Sequence, residues 1–182
     1  MGKFDKDSLW NRMKHNYEEV SKTRLVRRMP VVVRLDGKSF HSFTKGFKKP
    51  FDDILINTMQ NTMKYLCQNI QGCVIGYTQS DEITLVLVDY QTLKTDSWYD
   101  YEVQKLCSVS ASMATLEFNR QINEFFNNLC PNDVESFKYF SSLSKAINKG
   151  AVFDSRCFNI PKEEVTNCVL WRQQDATRNS IQ

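Results

Sequence analysis

The feature that most constrains the fold is a pair of adjacent acids, Asp81 and Glu82, placed between two apolar runs. The runs cover residues 73–77 and 83–88. Both are rich in β-branched or aromatic residues, which favour strands. The segment is therefore predicted to form an antiparallel hairpin with the acids at or beside its turn.

A second predicted strand also ends in an acid. Residues 30–35 are mostly apolar and lead into Asp36-Gly37, where the glycine lets the backbone bend sharply. If this strand pairs beside the hairpin, Asp36 and Asp81 face one cleft. Mg²⁺ is typically held by one or two carboxylates together with substrate phosphates, and a pair of metals about 3.5–4 Å apart can support phosphoryl displacement. Acids in a hairpin turn are also typical of a solvated turn, so the residues alone leave both interpretations open.

Composition narrows the class of protein. The chain has 182 residues, 41% of them hydrophobic and 25% charged, which predicts a single soluble domain over residues 1–182. Neither a signal peptide nor a membrane-spanning run is recognisable, so we expect a cytoplasmic protein with no membrane partner. With two histidines and no Cys-x-x-Cys pair, a zinc centre or a histidine-based triad is poorly supported.

Residues 38–53 form a predicted loop that mixes aromatics, hydroxyls and lysines. Backbone N–H groups after a glycine can bind phosphate oxygens, lysines can neutralise them, and His41 or an aromatic ring can stack on a base. Phe40, Phe43 and Phe47 are equally well explained as core residues that anchor the loop.

Helical periodicity predicts the remaining elements. We expect a helix from Asp52 or Asp53 to near Gly72 and another over residues 102–129, both with core-facing stripes. Residues 7–28 carry a shorter stripe, also predicted to face the core, followed by basic residues between Lys22 and Arg28 that are either solvated or phosphate-binding. The other segments are predicted as a surface connection over 89–101, a polar, punctuated stretch over 131–149, a strand over 150–160 and a helix opened by Pro161.

The resulting order predicts an α+β fold, a palm-like βαββαβ antiparallel sheet with helices packed mainly on one face. Polymerase palms and nucleotide cyclases share this plan, and both place metal-binding acids on central strands. Fold alone does not specify function.

Short motifs along nearly the whole chain carry a more specific signal. They are Arg34–Gly37 with Phe40, His41 and Phe43, Lys49–Asp52, Gln79–Glu82, Lys105–Val109, Phe153–Arg156 and Trp171–Asp175. In this order they resemble the tRNA(His) guanylyltransferase-like proteins, also called 3′-to-5′ RNA polymerases. The resemblance implies a catalytic domain that adds nucleotides to the 5′ end of tRNA, after ATP-dependent 5′-adenylylation where that end is a monophosphate.

The resemblance also implies roles for individual residues. Asp36, the Gly37 carbonyl and Asp81 would hold two Mg²⁺ ions, and Glu82 would support them. ATP, GTP or another nucleoside triphosphate would be bound through its phosphates and its base. The implied phosphate contacts are Arg34, Lys49, Ser80 and the backbone N–H groups of Gly37, Lys38, Ser39 and Phe40, with Lys105 and Asn179 as further candidates. His41 and Asp52 would border the base.

The last residues depart from the eukaryotic pattern. Residues 176–182 stand where eukaryotic members have a Cys-His-Ile-Asn-Asn-Leu-Tyr-Asn run. This difference favours a bacterial-type tRNA-repair member with template-directed addition, over non-templated guanylyl addition to tRNA(His).

Two further hypotheses stay open, a palm-type nucleotide cyclase and a non-catalytic tRNA-binding module. The resemblance also predicts a homotetramer and the absence of the family's C-terminal helical portion.

Overall fold

A computed structural model describes residues 8–130 and 133–181, with the backbone alone for 179–181. A four-stranded sheet has the order β2-β3-β1-β4, and every neighbouring pair of strands is antiparallel. The strands are β1 (Val31–Gly37), β2 (Cys73–Gln79), β3 (Glu82–Leu87) and β4 (Phe153–Asn159). The predicted hairpin and its pairing with the first strand are therefore confirmed.

The helices complete the predicted βαββαβ order. They are α1 (Leu9–Met13), α2 (Phe40–Phe43), α3 (Asp53–Asn69), α4 (Val103–Asn127), α5 (Val134–Lys149) and α6 (Val165–Ile181). Helix α3 joins β1 to β2, while α4 and α5 join β3 to β4. Within the described ranges, none of these helices has the length and apolar character needed to cross a membrane.

The core lies between one face of the sheet and helices α3, α4 and α5. Alternate residues of β1, namely Val31, Val33 and Leu35, point to this side and are fully buried. Phe118 and Ile122 of α4 are equally buried. Because each such side chain contributes about 1.5–3 kcal/mol on burial, a one-residue slip of β1 would lose this packing and reverse both faces.

The other face of the sheet carries the polar residues. Asp36 lies opposite Glu82 on β3 and opposite Asp154 on β4. Helix α6 reaches this face, where Arg172 contacts the Glu82 side chain. Helices thus pack mainly on one face, as predicted, with α6 on the other.

The prediction for the N-terminal stripe is wrong. The structure has α1 followed by a π-helical turn over Lys14–Glu18 instead of one long helix. The stripe residues Leu9, Met13, Tyr17 and Val20 are 65%, 48%, 67% and 73% exposed. Periodicity reports that a segment has an apolar side, but it does not place a partner against that side.

The polar stretch over 131–149 contains a helix that sequence reasoning missed. Asp133 caps α5 by accepting a hydrogen bond from the Ser136 N–H, and Gly150 ends the helix at φ +74°. Leu143 and Ala146 are buried against the core. The cap residues were visible in the sequence, but the polar side of α5 obscured its apolar side.

The predicted surface connection over 89–101 is partly buried. Asp89 is fully buried and accepts hydrogen bonds from Arg27 Nε at 2.9 Å and from the Arg28 N–H at 2.8 Å. Trp98 and Tyr101 are buried as well. A buried carboxylate requires a compensating charge, and the Arg27 guanidinium supplies it for Asp89.

Candidate active site

Asp36 and Asp81 are brought together where β1 ends beside the β2–β3 turn. The Gly37 N–H donates a hydrogen bond of 3.1 Å to the Asp81 carbonyl oxygen. Ser80 occupies the turn at φ +49°, and its hydroxyl donates to Asp81 Oδ1 at 3.1 Å. The first strand therefore pairs beside the hairpin, as a shared cleft requires. Both carboxylates remain partly exposed.

The electrostatics of this pair are unfavourable in the absence of a cation. Burial is the main cause that raises the pKa of Asp36, and the charge of Asp81 is the next. Burial also raises the pKa of Asp81. The nearest basic group to Asp36 is Arg156, whose Nη2 lies 4.0 Å from Asp36 Oδ2. Partly desolvated carboxylates with little compensation are a suitable place for a divalent cation.

The donor set fits Mg²⁺. The Asp36 and Asp81 carboxylates and the Gly37 carbonyl are all hard oxygen ligands. Over the described part of the chain, no group of three or more His, Cys, Asp or Glu side chains forms a complete metal site. Asp36, Asp81 and the Gly37 carbonyl would therefore supply only part of a coordination shell, which is usual for Mg²⁺ ions that also bind substrate phosphates.

Glu82 is in a different environment from Asp81. It is 8% exposed, and its two oxygens accept hydrogen bonds from Arg172 Nε at 2.8 Å and Arg172 Nη2 at 2.7 Å. The Thr84 hydroxyl lies 3.2 Å from Glu82 Oε1. The structure therefore places the Glu82 carboxylate in an ion pair that ties α6 to the sheet, so its support of the site is positional.

Arg34 is placed beneath α6. Its Cζ lies 4.7 Å from the centre of the Trp171 ring and 5.7 Å from that of Phe158, and its Nε is 3.7 Å from Glu82 Oε1. The Nε and Nη2 atoms are buried without a hydrogen-bond partner among the described residues. Arg34 is only 9% exposed, so the structure does not leave its guanidinium open to the implied contact with a triphosphate.

The backbone N–H groups implied to bind phosphate divide into two pairs. Those of Gly37 and Lys38 already donate to the carbonyl oxygens of Asp81 and Val152. For the Ser39 and Phe40 N–H groups, the described chain offers no hydrogen-bond partner. The second pair is therefore free to bind an anion beside the carboxylates.

Phe40 anchors the loop in the core, as the core interpretation of the loop aromatics predicted. Its ring centre lies 5.1 Å from that of Phe43, 5.4 Å from Phe118 and 5.2 Å from Phe153. A Cβ at Gly37 would come within 2.2 Å of the Phe40 ring. Gly37 thus allows the close approach that holds the loop next to Asp36.

Asp52 has a structural role that explains its place in the sequence. It is buried and caps α3 by accepting from the Leu55 N–H, and it also accepts from the Lys48 N–H and the Tyr139 hydroxyl. The prediction that Asp52 or Asp53 caps this helix is confirmed for Asp52. Since both oxygens are occupied, the structure does not leave Asp52 open to a nucleotide base.

The other implied contacts are dispersed. His41 and Lys49 are exposed on the loop that follows Asp36. Lys105 Nζ lies 5.7 Å from the Tyr99 ring centre, on the helix that packs behind the sheet, and the structure does not bring it to Asp36. Asn179 falls among the residues whose side chains are not described.

Comparison with known proteins agrees with this geometry. The model of the tRNAHis guanylyltransferase family matches residues 10–161. The chain belongs to this family. The matched range contains the whole four-stranded sheet and both aspartates, and the family is one of nucleotidyltransferases.

Solved structures of tRNA(His) guanylyltransferases share the fold. A bacterial tRNA(His) guanylyltransferase-like protein in complex with ATP is 43% identical, with a TM-score of 0.80 over 96% of this chain and 68% of that one. A complex with GTP gives 42% identity and a TM-score of 0.80 over 96% of this chain and 74% of that one. The Saccharomyces cerevisiae tRNA(His) guanylyltransferase is 25% identical, with a TM-score of 0.67 over 90% and 64% of the two chains.

Curated relatives of the family are longer than this chain. A probable tRNA(His) guanylyltransferase of Dictyostelium discoideum is 29% identical over 86% of this chain and 54% of its own length. An uncharacterized mimivirus protein is 31% identical over 82% of this chain and 53% of its own length. The chain thus spans about half the length of these relatives.

Three site residues of this guanylyltransferase-family chain were not given roles from sequence. Asp154 and Arg156 lie on the same face of β4, and Arg156 Nη2 is 3.1 Å from Asp154 Oδ1. Arg172 holds Glu82 through two hydrogen bonds. All three fall within motifs that suggested the family, and a period-two pattern on β4 would have placed Asp154 and Arg156 beside Asp36.

Proposed function

We propose that this chain binds nucleoside triphosphates with Mg²⁺ at Asp36 and Asp81 and transfers nucleotides to the 5′ end of tRNA. The observation that carries the proposal is the convergence of these two aspartates where the central strand β1 ends beside the β2–β3 turn, in a member of a nucleotidyltransferase family. The described fold is, in this proposal, the palm-like catalytic domain.

The chain's own residues would fix the geometry of the site. Asp36, Asp81 and the Gly37 carbonyl would hold two Mg²⁺ ions, which when bound supply positive charge to the reacting phosphates. The hydrogen bond from the Gly37 N–H to the Asp81 carbonyl oxygen keeps β1 and the turn at a constant separation. Ser80 orients the Asp81 carboxylate through its hydroxyl. A preorganised site of this kind needs little rearrangement during the reaction.

Phosphate recognition would come from groups next to the carboxylates. The free N–H groups of Ser39 and Phe40 would bind phosphate oxygens, and the exposed side chains of Lys38, Lys49 and Arg156 would neutralise charge. His41 would border the base. Binding of a nucleoside triphosphate by this chain is supported by the ATP and GTP complexes of the bacterial guanylyltransferase-like protein.

The reaction requires no covalent nucleophile from the protein. The 3′-hydroxyl oxygen of the incoming nucleotide forms a bond to the 5′ phosphorus of the tRNA. The leaving group is AMP from a 5′-adenylate, which ATP forms on a monophosphate end with release of pyrophosphate, or pyrophosphate itself from a 5′-triphosphate. Both are in-line displacements at phosphorus, to which positioning and charge stabilisation contribute most.

We further propose template-directed repair of 5′-truncated tRNA as the activity. Support comes from the departure of residues 176–182 from the eukaryotic run and from the 43% identity to a bacterial guanylyltransferase-like protein. Non-templated guanylyl addition to tRNA(His) is the second candidate, because that substrate gives the family its name.

The test uses a tRNA that lacks its first 5′ nucleotide, carries a 5′-triphosphate and is blocked at its 3′ end. The full chain, Mg²⁺ and each nucleoside triphosphate in turn are added, and 5′ extension is followed with an internal label. Growth only with the nucleotide complementary to the opposite acceptor-stem base would support templated addition. Guanylyl addition regardless of that base would support the second candidate.

Two further outcomes would reject the proposal. Conversion of a nucleoside triphosphate without RNA would identify a cyclase, and tRNA binding without Mg²⁺-dependent nucleotide binding would identify a binding module. Asp36→Asn and Asp81→Asn serve as controls, since both variants retain the shape of the side chain.

A further inference from the structure

We propose that five lysines on α5 and the adjoining loop form a binding surface for the RNA backbone, outside the nucleotide site. This surface, called here the lysine surface, consists of Lys45, Lys48, Lys138, Lys145 and Lys149. It rests on the proposed function, because it identifies where the RNA substrate of the same active site would lie. Sequence reasoning missed it because it missed α5.

The lysines of α5 lie on one side of the helix. Lys138, Lys145 and Lys149 follow the i, i+7, i+11 spacing, which aligns residues along one stripe. At 1.5 Å per residue, this stripe extends about 16 Å along the helix. All three residues are exposed. The helix dipole favours a cation at Lys149 in the last turn, but it does not favour Lys138 near the first turn.

The loop after β1 packs directly beside this stripe. Lys149 Nζ donates to the Ser42 hydroxyl at 3.0 Å. A Cβ at Gly46 would lie 2.5 Å from Ser142 Oγ, which shows how closely the two segments approach. Lys48 Nζ lies 5.2 Å from the centre of the Tyr139 ring. Lys48 therefore lies beside α5, and the exposed Lys45 precedes the glycine that packs against this helix.

The five lysines form no ion pair within the described ranges, although Asp53, Asp133 and Glu135 line the same cavity as Lys48 and Lys138. The chain as a whole has a formal net charge of only +3, so this concentration of lysines is local. Clustered lysines without ion-pair partners attract a polyanion, and the contacts release counterions from its backbone.

The lysine surface is joined to the proposed active site by the chain segments that flank it. Helix α5 ends at Gly150, and the next residues lead into β4, where Asp154 lies opposite Asp36. The Lys38 N–H donates to the Val152 carbonyl oxygen at 2.8 Å, which joins the loop to this connection. We therefore expect an RNA strand whose 5′ end reaches Asp36 to follow these segments toward the lysine surface.

The test compares two triple variants of the full chain that remove the same charge. One is Lys138→Gln/Lys145→Gln/Lys149→Gln, and the control is Lys64→Gln/Lys94→Gln/Lys162→Gln, which changes exposed lysines elsewhere. The probe is the 5′-truncated tRNA, with Kd measured by fluorescence anisotropy at several KCl concentrations. Binding of Mg²⁺–ATP is measured in parallel by calorimetry.

We expect the α5 variant to bind the tRNA at least about 10-fold more weakly. Its salt slope should fall by about 2 to 3, since each lost phosphate contact contributes about 0.7–0.9. Mg²⁺–ATP binding should be unchanged. The control should keep the tRNA affinity within about twofold. A loop variant, Lys45→Gln/Lys48→Gln, should show a smaller loss in the same direction, and it tests the surface independently of α5.

Three outcomes would overturn the proposal. They are unchanged tRNA affinity in the α5 variant, an equal loss in the control, and failure of the unmodified chain to bind tRNA while it binds vesicles of anionic lipid. Failure of the proposed function is distinguishable, because it would appear as Mg²⁺–ATP binding that does not depend on Asp36 and Asp81.

Discussion

Asp81 and Glu82 are neighbours in the chain, yet their surroundings are opposite. Asp81 lies beside Asp36 at the cleft, and no ion pair in the described part of the chain includes it. Glu82 is buried and both of its oxygens are held by Arg172. One acid is thus neutralised and fixes α6 on the sheet, while the other forms no ion pair in the described chain and is the acid we propose to bind a cation. Identical chemistry at adjacent positions therefore serves two purposes.

The largest expected effect concerns the cleft. Asp36→Asn or Asp81→Asn should lower the rate of 5′ nucleotide addition by about 10³-fold or more, because metal-supported charge stabilisation contributes several kcal/mol. Single-turnover measurement with saturating nucleotide checks this. Near-normal turnover in either variant would show that the cleft aspartates do not carry the reaction. The inferred difference between Asp81 and the buried Glu82 would then be wrong.

The next effect concerns the buried acid. Glu82→Gln should lower the free energy of unfolding by about 3 kcal/mol, because it removes the buried carboxylate that neutralises Arg172 and leaves only the partly exposed Asp175 as a charge partner. Asp81→Asn is the matched control and should change it by less than about 0.5 kcal/mol. Urea denaturation measures both variants. Equal losses would remove the distinction between the two acids.

A smaller effect on stability is expected at Asp175, the second carboxylate that contacts Arg172. Arg172 Nη2 also contacts Asp175 Oδ2 at 3.0 Å, and the Asp175 side chain is 37% exposed. Asp175→Asn should cost about 0.5 kcal/mol, since a partly exposed ion pair is screened and Arg172 keeps Glu82. The same denaturation experiment applies. A loss as large as that of Glu82→Gln would mean that α6 depends on the whole network.

The smallest effect is on pH dependence. Burial and the neighbouring charge of Asp81 raise the pKa of Asp36, so the folded protein binds this proton more tightly than the unfolded chain does. The contribution of Asp36 to the free energy of unfolding therefore falls as pH rises above the ordinary aspartate pKa.

Asp36→Asn removes this contribution, so the stability of the variant relative to the unmodified chain should rise with pH over that range. The difference should stay within about 0.5 kcal/mol. Thermal denaturation without Mg²⁺, from about pH 4 upward, tests this. A difference that moves in the opposite direction would contradict the assigned environment.

Much of the fold could be predicted because its signals are local. Three valines before Asp36 and the apolar runs around Asp81 have strand character whatever the rest of the chain does. Helix α5 was missed although Asp133 and Gly150 mark its ends, because its polar residues outnumber the few that reach the core. The prediction for the N-terminal stripe is wrong for the converse reason. Its apolar side is clear in the sequence, but the described structure packs no partner against it.

The site was predictable to a lesser extent. Strand ends bring Asp36 and Asp81 together, and a strand end is visible in sequence. Asp52 was assigned to a base, but Tyr139 and two backbone N–H groups occupy its carboxylate. The resemblance implies that Arg34 contacts phosphate, but its guanidinium lies 4.7 Å from the centre of the Trp171 ring. Both partners, Tyr139 and Trp171, are distant in the chain, and no periodicity reports them.

The sequence by itself determined the order of the four strands along the chain, helices α3 and α4, the antiparallel hairpin and the positions of the two cleft aspartates, because hydrophobic period and turn chemistry act over a few residues. Only the tertiary structure decided which charged residues are neutralised internally and which stay partly exposed at the cleft. Glu82 and Arg172 are 90 residues apart, and their pairing depends on where α6 packs against the sheet. The lysine surface likewise exists only because α5 folds back beside the loop after β1.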